Sequence, residues 1–561
     1  MLNGQLHDDY LLRYSVEMEQ DFSTLTNTAT VTFYDEHQRK VSRIHLAVVS
    51  KETIYDWIKN NQPIHLQACY VKDFSLSEFR KLQNLKEDEL VTLHDLKAIH
   101  TFFDGESTID FSCSVFEGKQ TIFDHSVFGN GYTNFSYSDF GHGHVSFKHS
   151  KFGSGATNFQ SVRFGDGDIS FEETNFGNGN LSFADAHFSN GHVHFKNTLF
   201  GNGHIDFKFA KFALGDISFE RATFGVGKKD FKKVEFGGGR IDFRRVEFND
   251  GDVLFEGVEF GNGKINFRGS VFGKGHVGFE YADFANGEAI FDYVDFGTGN
   301  LSFYQAKAAH ISFRNCPFNC YIDLRFKACK IANLSNAVIR DIVDIKPERD
   351  HVHIRELNIT DTRILGRLFI NWRENEVFHL IYNQKKSSHF QKAEQFRILK
   401  ENFRVNGQYE DEDAAYIEFK RCEAKALLEE EKKSTFIVKL CAYPKYAFQN
   451  YVFDFVGRYA TAPTRVLLNA VLAVCMFGLV YYGFTVGLKT FGTIETTLPN
   501  HLNHVQEFWN CMYYSAITFF TIGYGDYFPY GILKAVAAFE GFSGVFLMSY
   551  FTVAFVRKIL R

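Results

Sequence analysis

The 561-residue sequence has little proline or tryptophan, 7 and 3 residues respectively, and no strong excess of charge. Its formal net charge of −6 gives no indication of the large basic surface that nucleic-acid binding needs. The N-terminus, with Asp8 and Asp9 among alternating polar residues, lacks the basic and then apolar stretch of a signal peptide. We therefore expect no nucleic-acid partner, and we expect the bulk of the chain to stay in the cytoplasm.

A disulfide framework is also lacking, because the nine cysteines are irregularly spaced. Free thiols in a reducing compartment are the expectation. Cys316, Cys320 and Cys329 lie near one another, but their spacing is not the C-x₂-C of common zinc sites. Buried small side chains are the favoured interpretation, with a metal site as the alternative.

Phenylalanine and glycine are abundant instead, with 65 and 45 residues. From Phe111 to Phe303 the chain repeats every twelve residues, with one phase of Phe running from Phe116 to Phe296. A second phase follows seven residues later each time, from Phe123 to Phe303. The first phase is usually followed by Gly-x-Gly, which suits corners with positive φ. A fixed period of this kind predicts a solenoid, in which each unit buries its apolar face against its neighbours.

The repeat resembles the pentapeptide-repeat β-helix, a right-handed solenoid, because five-residue steps such as Phe135 to Phe140 separate the inward residues. Every second step is lengthened to seven residues, which departs from that family's strict five. Four-sided coils of about 24 residues are the favoured prediction, and coils of about twelve are the alternative. Several corners carry histidine, and solvated turn residues are favoured over a metal ladder for this set: His142, His144, His192, His194, His204 and His276.

The regions on either side of the solenoid carry weaker patterns. Residues 1–105 are predicted to form a small α/β cap, with an alternating strand around Thr28 to Phe33 and a short helix over Lys51 to Asn61. No residue pattern in the cap indicates a particular ligand.

Residues 389–431 are predicted to form two helices separated at Asn406-Gly407-Gln408. This pair resembles the connector between pentapeptide repeats and C-terminal ion-channel domains in bacterial proteins, which indicates a bacterial source.

Two apolar segments near the C-terminus, 466–486 and 532–556, are long enough to cross a hydrocarbon core of about 30 Å. Residues 435–463 mix Phe, Tyr and Lys and are predicted to lie in the membrane interface. Leu488 to His504 is predicted to be an external turret. Basic residues precede the first span and follow the second, whereas the turret has a single lysine, Lys489. The positive-inside rule then puts both termini in the cytoplasm, in a cell inner (plasma) membrane with lipid as a partner.

Between the two spans lies a short apolar helix, Asn510 to Phe520, followed by Thr521-Ile522-Gly523-Tyr524-Gly525-Asp526. Four such segments around an axis would stack rings of carbonyl oxygens that replace the hydration shell of K⁺. The motif resembles the selectivity filter of two-transmembrane potassium channels, with Ile in place of the commoner Val. The resemblance implies a potassium channel whose K⁺ ligands come from residues 521–525, with Asp526 at the outer mouth.

A single filter segment cannot surround an ion, so we expect a homotetramer. No cofactor is expected, since K⁺ is only the permeant ion. Nothing resembles an arginine-rich voltage sensor. Gly541 and Gly544 are candidate gating hinges, with close helix packing as the equal alternative. Glu540 is an intramembrane carboxyl that is expected to form hydrogen bonds near the back of the pore helix.

The predicted fold class is a multidomain chain with a cytoplasmic β-solenoid, a helical connector and an all-α pore domain with two transmembrane helices. Its predicted segments are the cap (1–105), the solenoid (106–340), the connector (341–434), the interfacial segment (435–463) and the pore domain (464–561), with pore helix and filter at 506–526. The favoured function is a potassium channel regulated through an unknown cytosolic ligand or protein on the solenoid or cap. The alternative is a membrane-anchored scaffold. The sequence shows no set of catalytic residues that would indicate an enzyme.

Overall fold

The structure of the protein is a computed structural model that describes residues 13–21, 26–347, 354–496 and 503–560. The chain divides into two compact units, Met1–Gln384 and Lys385–Arg561. The first unit contains an N-terminal sheet and the β-solenoid, and the second contains a helical region followed by the helices on either side of the 521–526 motif.

The N-terminal part begins with three antiparallel strands, Arg13–Asp21, Thr26–Tyr34 and Lys40–Val48. Helix α1 (Lys51–Lys59) follows, and the Ser50 side chain caps it by accepting from the Thr53 amide. Helix α2 (Leu76–Leu82) is capped in the same way by Ser75. The sequence therefore predicted the strand Thr26–Tyr34 and helix α1 correctly, whereas the other two strands and α2 were not predicted.

The solenoid takes 24 residues per coil, the larger of the two alternatives. Strand residues pair in parallel with residues 24 positions later, as Ile169 does with Val193 and Val193 with Ile217. Each coil has four sides, and residues on one side form a continuous column along the solenoid. Each twelve-residue repeat contributes two sides of the coil, and a corner follows each side. Two repeats therefore form one four-sided coil.

The strands of the first unit are grouped by sheet. One sheet contains Pro63–Gln67, Val91–Ile99, Ser114–Glu117, Gln120–Ile122, His144–Ser146, Ile169–Ser170, Val193–His194, Ile217–Ser218, Ile241–Asp242, Ile265–Asn266, Glu288–Ile290, Lys307–Ser312, Ala328–Asn333 and Ile354–Asn358. A second contains Thr108–Asp110, Tyr132–Asn134, Thr157–Asn158, Leu181–Ser182, Ile205–Asp206, Lys229–Asp230, Val253–Leu254, Val277–Gly278, Leu301–Ser302, Ile322–Asp323, Ile342–Asp344 and Arg367–Phe369. The N-terminal strands continue into Cys69–Lys72, Phe102–Asp104, Val127–Phe128 and Lys151–Phe152. Shorter sheets contain Arg163–Phe164, His187–Phe188, Lys211–Phe212 and Glu235–Phe236; Glu247–Asn249 and Val271–Phe272; and Pro317–Phe318, Val338–Ile339 and Arg363–Ile364.

Both phases of phenylalanine point into the solenoid core. Phe207 is fully buried and stacks on Phe183 and Phe231, with ring centroids 4.9 and 5.0 Å apart. It meets Phe195 and Phe219 edge to face at 6.0 and 6.1 Å. Aromatic rings prefer these two arrangements, so the same contacts recur from coil to coil and fix the register of the stack.

The corner glycines are needed for close approach as well as for positive φ. Gly201 has φ +65°, and a Cβ on it would lie 1.4 Å from the Gly177 carbonyl oxygen of the preceding coil. At Gly203 a Cβ would lie 2.0 Å from the Gly179 oxygen, although φ there is not in the positive region. The expectation from the sequence, which rested on positive φ alone, was therefore incomplete, because stacked corners leave no room for a side chain.

The predicted boundaries of the solenoid were too narrow at both ends. Its sheets begin within the predicted cap, at Pro63–Gln67, and extend to Arg367–Phe369 instead of ending at 340. Helix α3 (Val377–Tyr382) then packs on the strand Ile354–Asn358. The final coils use Ile, Val and Leu where earlier coils use Phe, so the phenylalanine pattern misses them.

One lysine lies in the apolar core column of the solenoid. Lys229 takes the place that Ile205 and Val253 occupy in adjacent coils, and its Nζ donates to the Asp250 carbonyl oxygen at 2.5 Å. Burial lowers the pKa of Lys229 to about 8. In the unfolded chain the lysine keeps its proton up to about pH 10. Between about pH 8 and 10 the unfolded chain therefore binds more protons than the folded solenoid, so the free energy of unfolding should rise with pH in this range.

We expect Lys229→Met to stabilise the solenoid by roughly 1–3 kcal/mol at pH 7 and to remove this rise. Chemical denaturation at pH 7 and pH 10 measures both effects. Lys211→Met is the control, since Lys211 forms only a half-exposed ion pair with Glu235. An unchanged or lower midpoint for Lys229→Met would show that the buried ammonium carries no penalty.

The second unit is helical. Its helices are α4 (His389–Val405), α5 (Tyr409–Glu431), α6 (Phe436–Phe448) with a π-helical extension (Gln449–Phe455), α7 (Pro463–Gly487), α8 (His504–Phe519) and α9 (Leu533–Ile559). Within the described ranges, α7 and α9 are the two helices long and apolar enough to cross a membrane. The break between α4 and α5 falls at residues 406–408, as predicted, where Gly407 has φ +72°.

The predicted turret contains structure that the sequence pattern did not show. The strand Gly492–Thr496 pairs antiparallel with Tyr527–Gly531, directly after the 521–526 motif. Residues 497–502 of the turret lie outside the described residues.

Candidate functional site

Three helices of the second unit pack around one apolar cluster. Buried Phe477 and Tyr481 of α7 meet Tyr514 and Ile517 of α8, and Leu533 of α9 completes the cluster. Close approach is possible where side chains are small. A Cβ on Gly478 would lie 2.5 Å from the Met512 sulfur, and one on Gly544 would lie 1.9 Å from the Phe519 carbonyl oxygen.

The 521–526 motif begins where α8 ends. The amides of Thr521 and Ile522 donate to the carbonyls of Thr518 and Ile517, at 3.1 and 2.8 Å, and the Gly523 amide donates to Ile517 at 3.3 Å. These bonds use carbonyls that a helix C-terminus leaves without intrahelical partners. The C-terminal, electronegative end of α8 is therefore joined to the motif, which favours a cation there.

Alternate residues of the motif have positive φ. Thr521, Gly523 and Gly525 have φ of +55°, +54° and +80°, whereas Ile522 and Tyr524 are not in this region. Alternation of this kind turns successive carbonyls towards the same side of the chain. The conformation is unusual for a β-branched residue such as Thr521, and strained backbone of this kind is concentrated at functional sites.

The motif is exposed within the single chain. The side chains of Ile522 and Tyr524 are 51% and 72% exposed. A Cβ on Gly523 or Gly525 would meet nothing within 4 Å. Large apolar side chains exposed on a strained segment indicate a surface that another molecule covers.

Asp526 follows the glycines and leads into the paired strands. Its carbonyl oxygen accepts from the Thr496 hydroxyl at 3.2 Å, and its carboxylate interacts with the Tyr513 hydroxyl of α8. These contacts hold the end of the motif against both α8 and the strand Gly492–Thr496. The position of Asp526 at an outer mouth remains a prediction.

Glu540 lies on α9 behind α8 and is fully buried. The Tyr481 hydroxyl of α7 donates to its Oε2 at 2.5 Å, and the Ser515 hydroxyl of α8 contacts its Oε1. Ser515 also lies 2.8 Å from the Val474 carbonyl oxygen of α7. The carboxyl group therefore joins all three helices. Sequence reasoning singled out Glu540 but missed Tyr481 and Ser515, which have no distinguishing pattern in their apolar segments.

The two candidate hinge glycines have different surroundings. Gly544 is buried, and its hydrogen faces the Phe519 carbonyl at the end of α8, so a larger residue would push α9 away from α8. Gly541 has room, since the nearest atom to a Cβ there would be the Thr518 oxygen at 3.8 Å. Close packing therefore explains Gly544, whereas the role of either glycine as a hinge is a prediction.

An ion-pair cluster joins α5 to the C-terminal end of α9. The Asp413 carboxylate lies 3.2 Å from Arg557 Nη2 and 3.3 Å from Lys558 Nζ. The Arg557 guanidinium lies over the Tyr416 ring, 4.3 Å from its centroid, and also contacts the Tyr459 carbonyl oxygen at 3.5 Å. Asp413 is nearly buried, so this pair is screened less than a surface pair. Sequence reasoning missed these contacts.

A second ion pair joins α5 to the segment before α7. Arg421 of α5 donates to both carboxylate oxygens of Asp454 at 2.7 and 2.8 Å, and to Glu418 at 2.7 Å. The two charges raise the pKa of the guanidinium, chiefly through the hydrogen bonds to Asp454. Helix α5 is thus attached to the segment before α7 and to the end of α9, which lie at the same end of the helical bundle, since the Tyr550 hydroxyl of α9 donates to the Phe453 carbonyl oxygen.

The candidate metal ligands of the solenoid form no ligand group. Among the described residues, no group of three or more His, Cys, Asp and Glu side chains is arranged to hold a metal. Burial raises the pKa of Cys316 and Cys329 to about 12, and of Cys320 to about 11, which favours thiols over metal-binding thiolates. Two corner histidines, His144 and His192, accept from backbone amides of the next coil through Nδ1. These two rings therefore cap neighbouring turns, a role more specific than solvation alone.

Comparison with known proteins identifies one part of the chain. The sequence pattern of a family described as "Ion channel" matches residues 470–561, which include α7, α8, the 521–526 motif and α9. No curated protein and no solved structure matches the chain. The match indicates a membrane protein with an ion transport function, and it gives no indication of an enzyme.

Proposed function

We propose, from the ion channel domain at residues 470–561, that the protein is a potassium-selective channel in which four copies surround one pore. The observation that carries this proposal is the backbone of Thr521 to Gly525, with positive φ at every second residue, between two membrane-length helices. A backbone of this form can present the carbonyls of Thr521, Ile522, Gly523 and Tyr524 to a dehydrated cation. The Thr521 hydroxyl adds a further oxygen at the inner end.

A tetramer is proposed because one chain alone cannot surround an ion with oxygen ligands. One copy supplies a single column of carbonyls, and K⁺ needs oxygens on all sides to replace its hydration shell. The exposed side chains of Ile522 and Tyr524, and Trp509 of α8, which is exposed as well, provide the apolar surface that neighbouring copies would cover. Fourfold closure leaves no open interface.

The proposal includes an orientation. Arg458 precedes α7, Arg465 lies in the first turn of α7, and Arg557 and Lys558 lie in the last turn of α9. We place these ends, and with them the solenoid, on the cytoplasmic side of a plasma membrane. Asp526 would then face the outside.

Flux through liposomes tests the proposed function directly. The full chain, purified and reconstituted, should support K⁺ flux driven by a gradient and should exclude Na⁺ under the same conditions. Cross-linking in the liposomes should give a tetramer. A protein that conducts neither ion under any tested ligand, or that conducts both equally, would contradict potassium selectivity.

We further propose that the solenoid regulates the pore through α5. A ligand shifts a gate only as far as its interaction differs between the closed and open states. The contacts of Asp413 with Arg557 and Lys558 support this route, since they connect α5 to the end of α9 without passing through α6 or α7. A movement of α5 would thereby bear directly on a pore-lining helix.

We expect Asp413→Asn to change the open probability by about fivefold or more and to leave K⁺ over Na⁺ selectivity unchanged. Arg557→Gln should give an effect of the same sign, and the double variant should change little beyond either single variant. Glu430→Gln is the control, on the exposed end of the same helix. Single-channel recording measures both quantities. Additive effects of the two variants would show that the pair is not the coupling element.

Removal of residues 1–385 should leave a selective tetramer with altered open probability. A Gly-Ser insertion near Lys432 should weaken only the covalent route through α6, because the Asp413 contacts bypass it. The combination of this insertion with Asp413→Asn and Arg421→Gln, which also removes the pair with Asp454, should uncouple α5 from the pore helices. If all these proteins gate like the full chain, the solenoid is not a regulator.

A scaffold is the second candidate function. Exposed aromatic side chains, Tyr137, Phe209 and Tyr281, recur at one corner of the solenoid at intervals of three coils. Such residues suit a partner surface, with the membrane domain as an anchor. The liposome experiment separates the candidates, since a scaffold needs no selective flux.

A further inference from the structure

The hydrogen bonds around Glu540 need one more hydrogen than the neighbouring hydroxyl groups supply. Three contacts form a chain from Tyr481 to Glu540, from Glu540 to Ser515, and from Ser515 to the Val474 carbonyl oxygen. Each contact joins two oxygens and therefore needs one hydrogen. A carbonyl supplies none, and the tyrosine and serine hydroxyls supply one each.

The chain is satisfied in full only if the carboxyl group supplies the third hydrogen. Tyr481 then donates to Oε2 of Glu540, the Oε1 hydroxyl of Glu540 donates to Ser515, and Ser515 donates to Val474. With an ionised carboxylate, the single Ser515 proton would have to serve both Glu540 and Val474, which its geometry can do only poorly.

The surroundings of Glu540 agree with this count. The titratable side chains near it are Tyr481 and Tyr514, whose rings lie 5.0 Å apart. Among the described residues of α7, α8 and α9, no lysine, arginine or histidine forms an ion pair with it. Its side chain is fully buried, and an ion without a counter-charge is strongly disfavoured there.

We propose that Glu540 is held as a neutral carboxylic acid whose proton completes this chain, and that the chain positions α8 between α7 and α9. Glu540 is thus a positioning residue for the filter, since the motif begins directly at the end of α8 and is bonded to its last carbonyls. The filter part of the proposal rests on the proposed potassium channel function, whereas the protonation of Glu540 does not.

The experiment compares two substitutions of Glu540 in the full chain. Glu540→Gln keeps a carbonyl acceptor for Tyr481 and an N–H donor for Ser515, so it should keep the K⁺ over Na⁺ permeability ratio within about twofold. Glu540→Leu has neither group and should lower the ratio by about tenfold, the equivalent of one buried hydrogen bond. Ser543→Ala is the control, because Ser543 on the same helix donates only to its own helix, at the Phe539 carbonyl.

Infrared spectroscopy provides the readout that does not depend on flux. The wild-type protein at neutral pH should show the C=O stretch of a protonated, hydrogen-bonded carboxylic acid that Glu540→Gln lacks. Ser515→Ala should shift this band, because it removes the acceptor of the Glu540 proton.

The outcomes separate the two proposals. Absence of the band, or loss of selectivity in Glu540→Gln to the level of Glu540→Leu, would overturn the neutral acid. If the band is present but the wild-type protein shows no K⁺ flux, the proposed function fails and the protonation of Glu540 stands. A Glu540→Leu tetramer with unchanged selectivity would overturn the positioning role.

Discussion

Gly523→Ala should abolish K⁺-selective flux through the reconstituted protein. Gly523 has φ +54°, a conformation that costs an L-residue with a Cβ about 1–2 kcal/mol. Relief of this strain would rotate the adjacent peptide groups and turn a carbonyl away from the column. In a tetramer the change occurs four times in one ring, so the ring loses its uniform geometry.

The strain at Gly523 is the main reason for this expectation within one chain. A Cβ at Gly523 meets nothing within 4 Å, so no clash inside the chain contributes. Any crowding would come from other copies around the axis. The predicted loss therefore tests both the backbone conformation and the assembly.

Gly483→Ala is the matched control for this substitution. Gly483 lies in α7, lacks positive φ, and also has open space where a Cβ would be. The Gly483→Ala protein should assemble into a tetramer and conduct K⁺ like the wild type. Flux of K⁺ and Na⁺ into liposomes measures both variants. If Gly523→Ala forms a tetramer with unchanged preference for K⁺, residues 521–525 are not the filter.

Phe207→Ala should destabilise the solenoid by about 3–5 kcal/mol, the usual cost of removing a large buried aromatic side chain. Phe207 is fully buried and contacts four other phenylalanine rings in its own and adjacent coils. The cavity cannot close easily, because every neighbouring ring is held in a stack of its own. Local opening should therefore become more frequent in the coils on both sides.

Phe209→Ala provides the control two residues away. The Phe209 side chain is 47% exposed, and the Lys233 ammonium lies over its ring, 5.7 Å from the centroid. Its loss should cost about 1 kcal/mol or less. Chemical denaturation gives the midpoints, and hydrogen exchange locates the effect among residues 183–231. Equal stability of Phe207→Ala and wild type would show that the aromatic stack does not carry the stability of the solenoid.

The sequence alone determined the features that depend on local repetition. A twelve-residue period in phenylalanine predicts a solenoid because each repeat must bury the same face against its neighbour. Helical periodicity and Gly407 predicted α4 and α5, and apolar length predicted the two membrane-length helices. The 521–526 motif was found from its residues, since glycine at alternate positions is required by the backbone itself.

Tertiary structure decided the features that depend on distance between remote residues. Coils of 12 and 24 residues have the same sequence period, and only the pairing of Ile169 with Val193 distinguishes them. The end of the solenoid at Phe369 depends on continued strand pairing after the phenylalanine pattern stops. A periodic pattern indicates which face of an element is buried, but it does not indicate which other element packs against that face.

The side-chain partners around α7, α8 and α9 could not be predicted from the sequence either. Tyr481 is 59 residues from Glu540, and Asp413 is 144 residues from Arg557. A tyrosine, a serine or an aspartate in such segments has no local feature that indicates its partner. Helix packing alone brings these side chains together, and with them the protonated carboxyl and the α5 attachment that we propose.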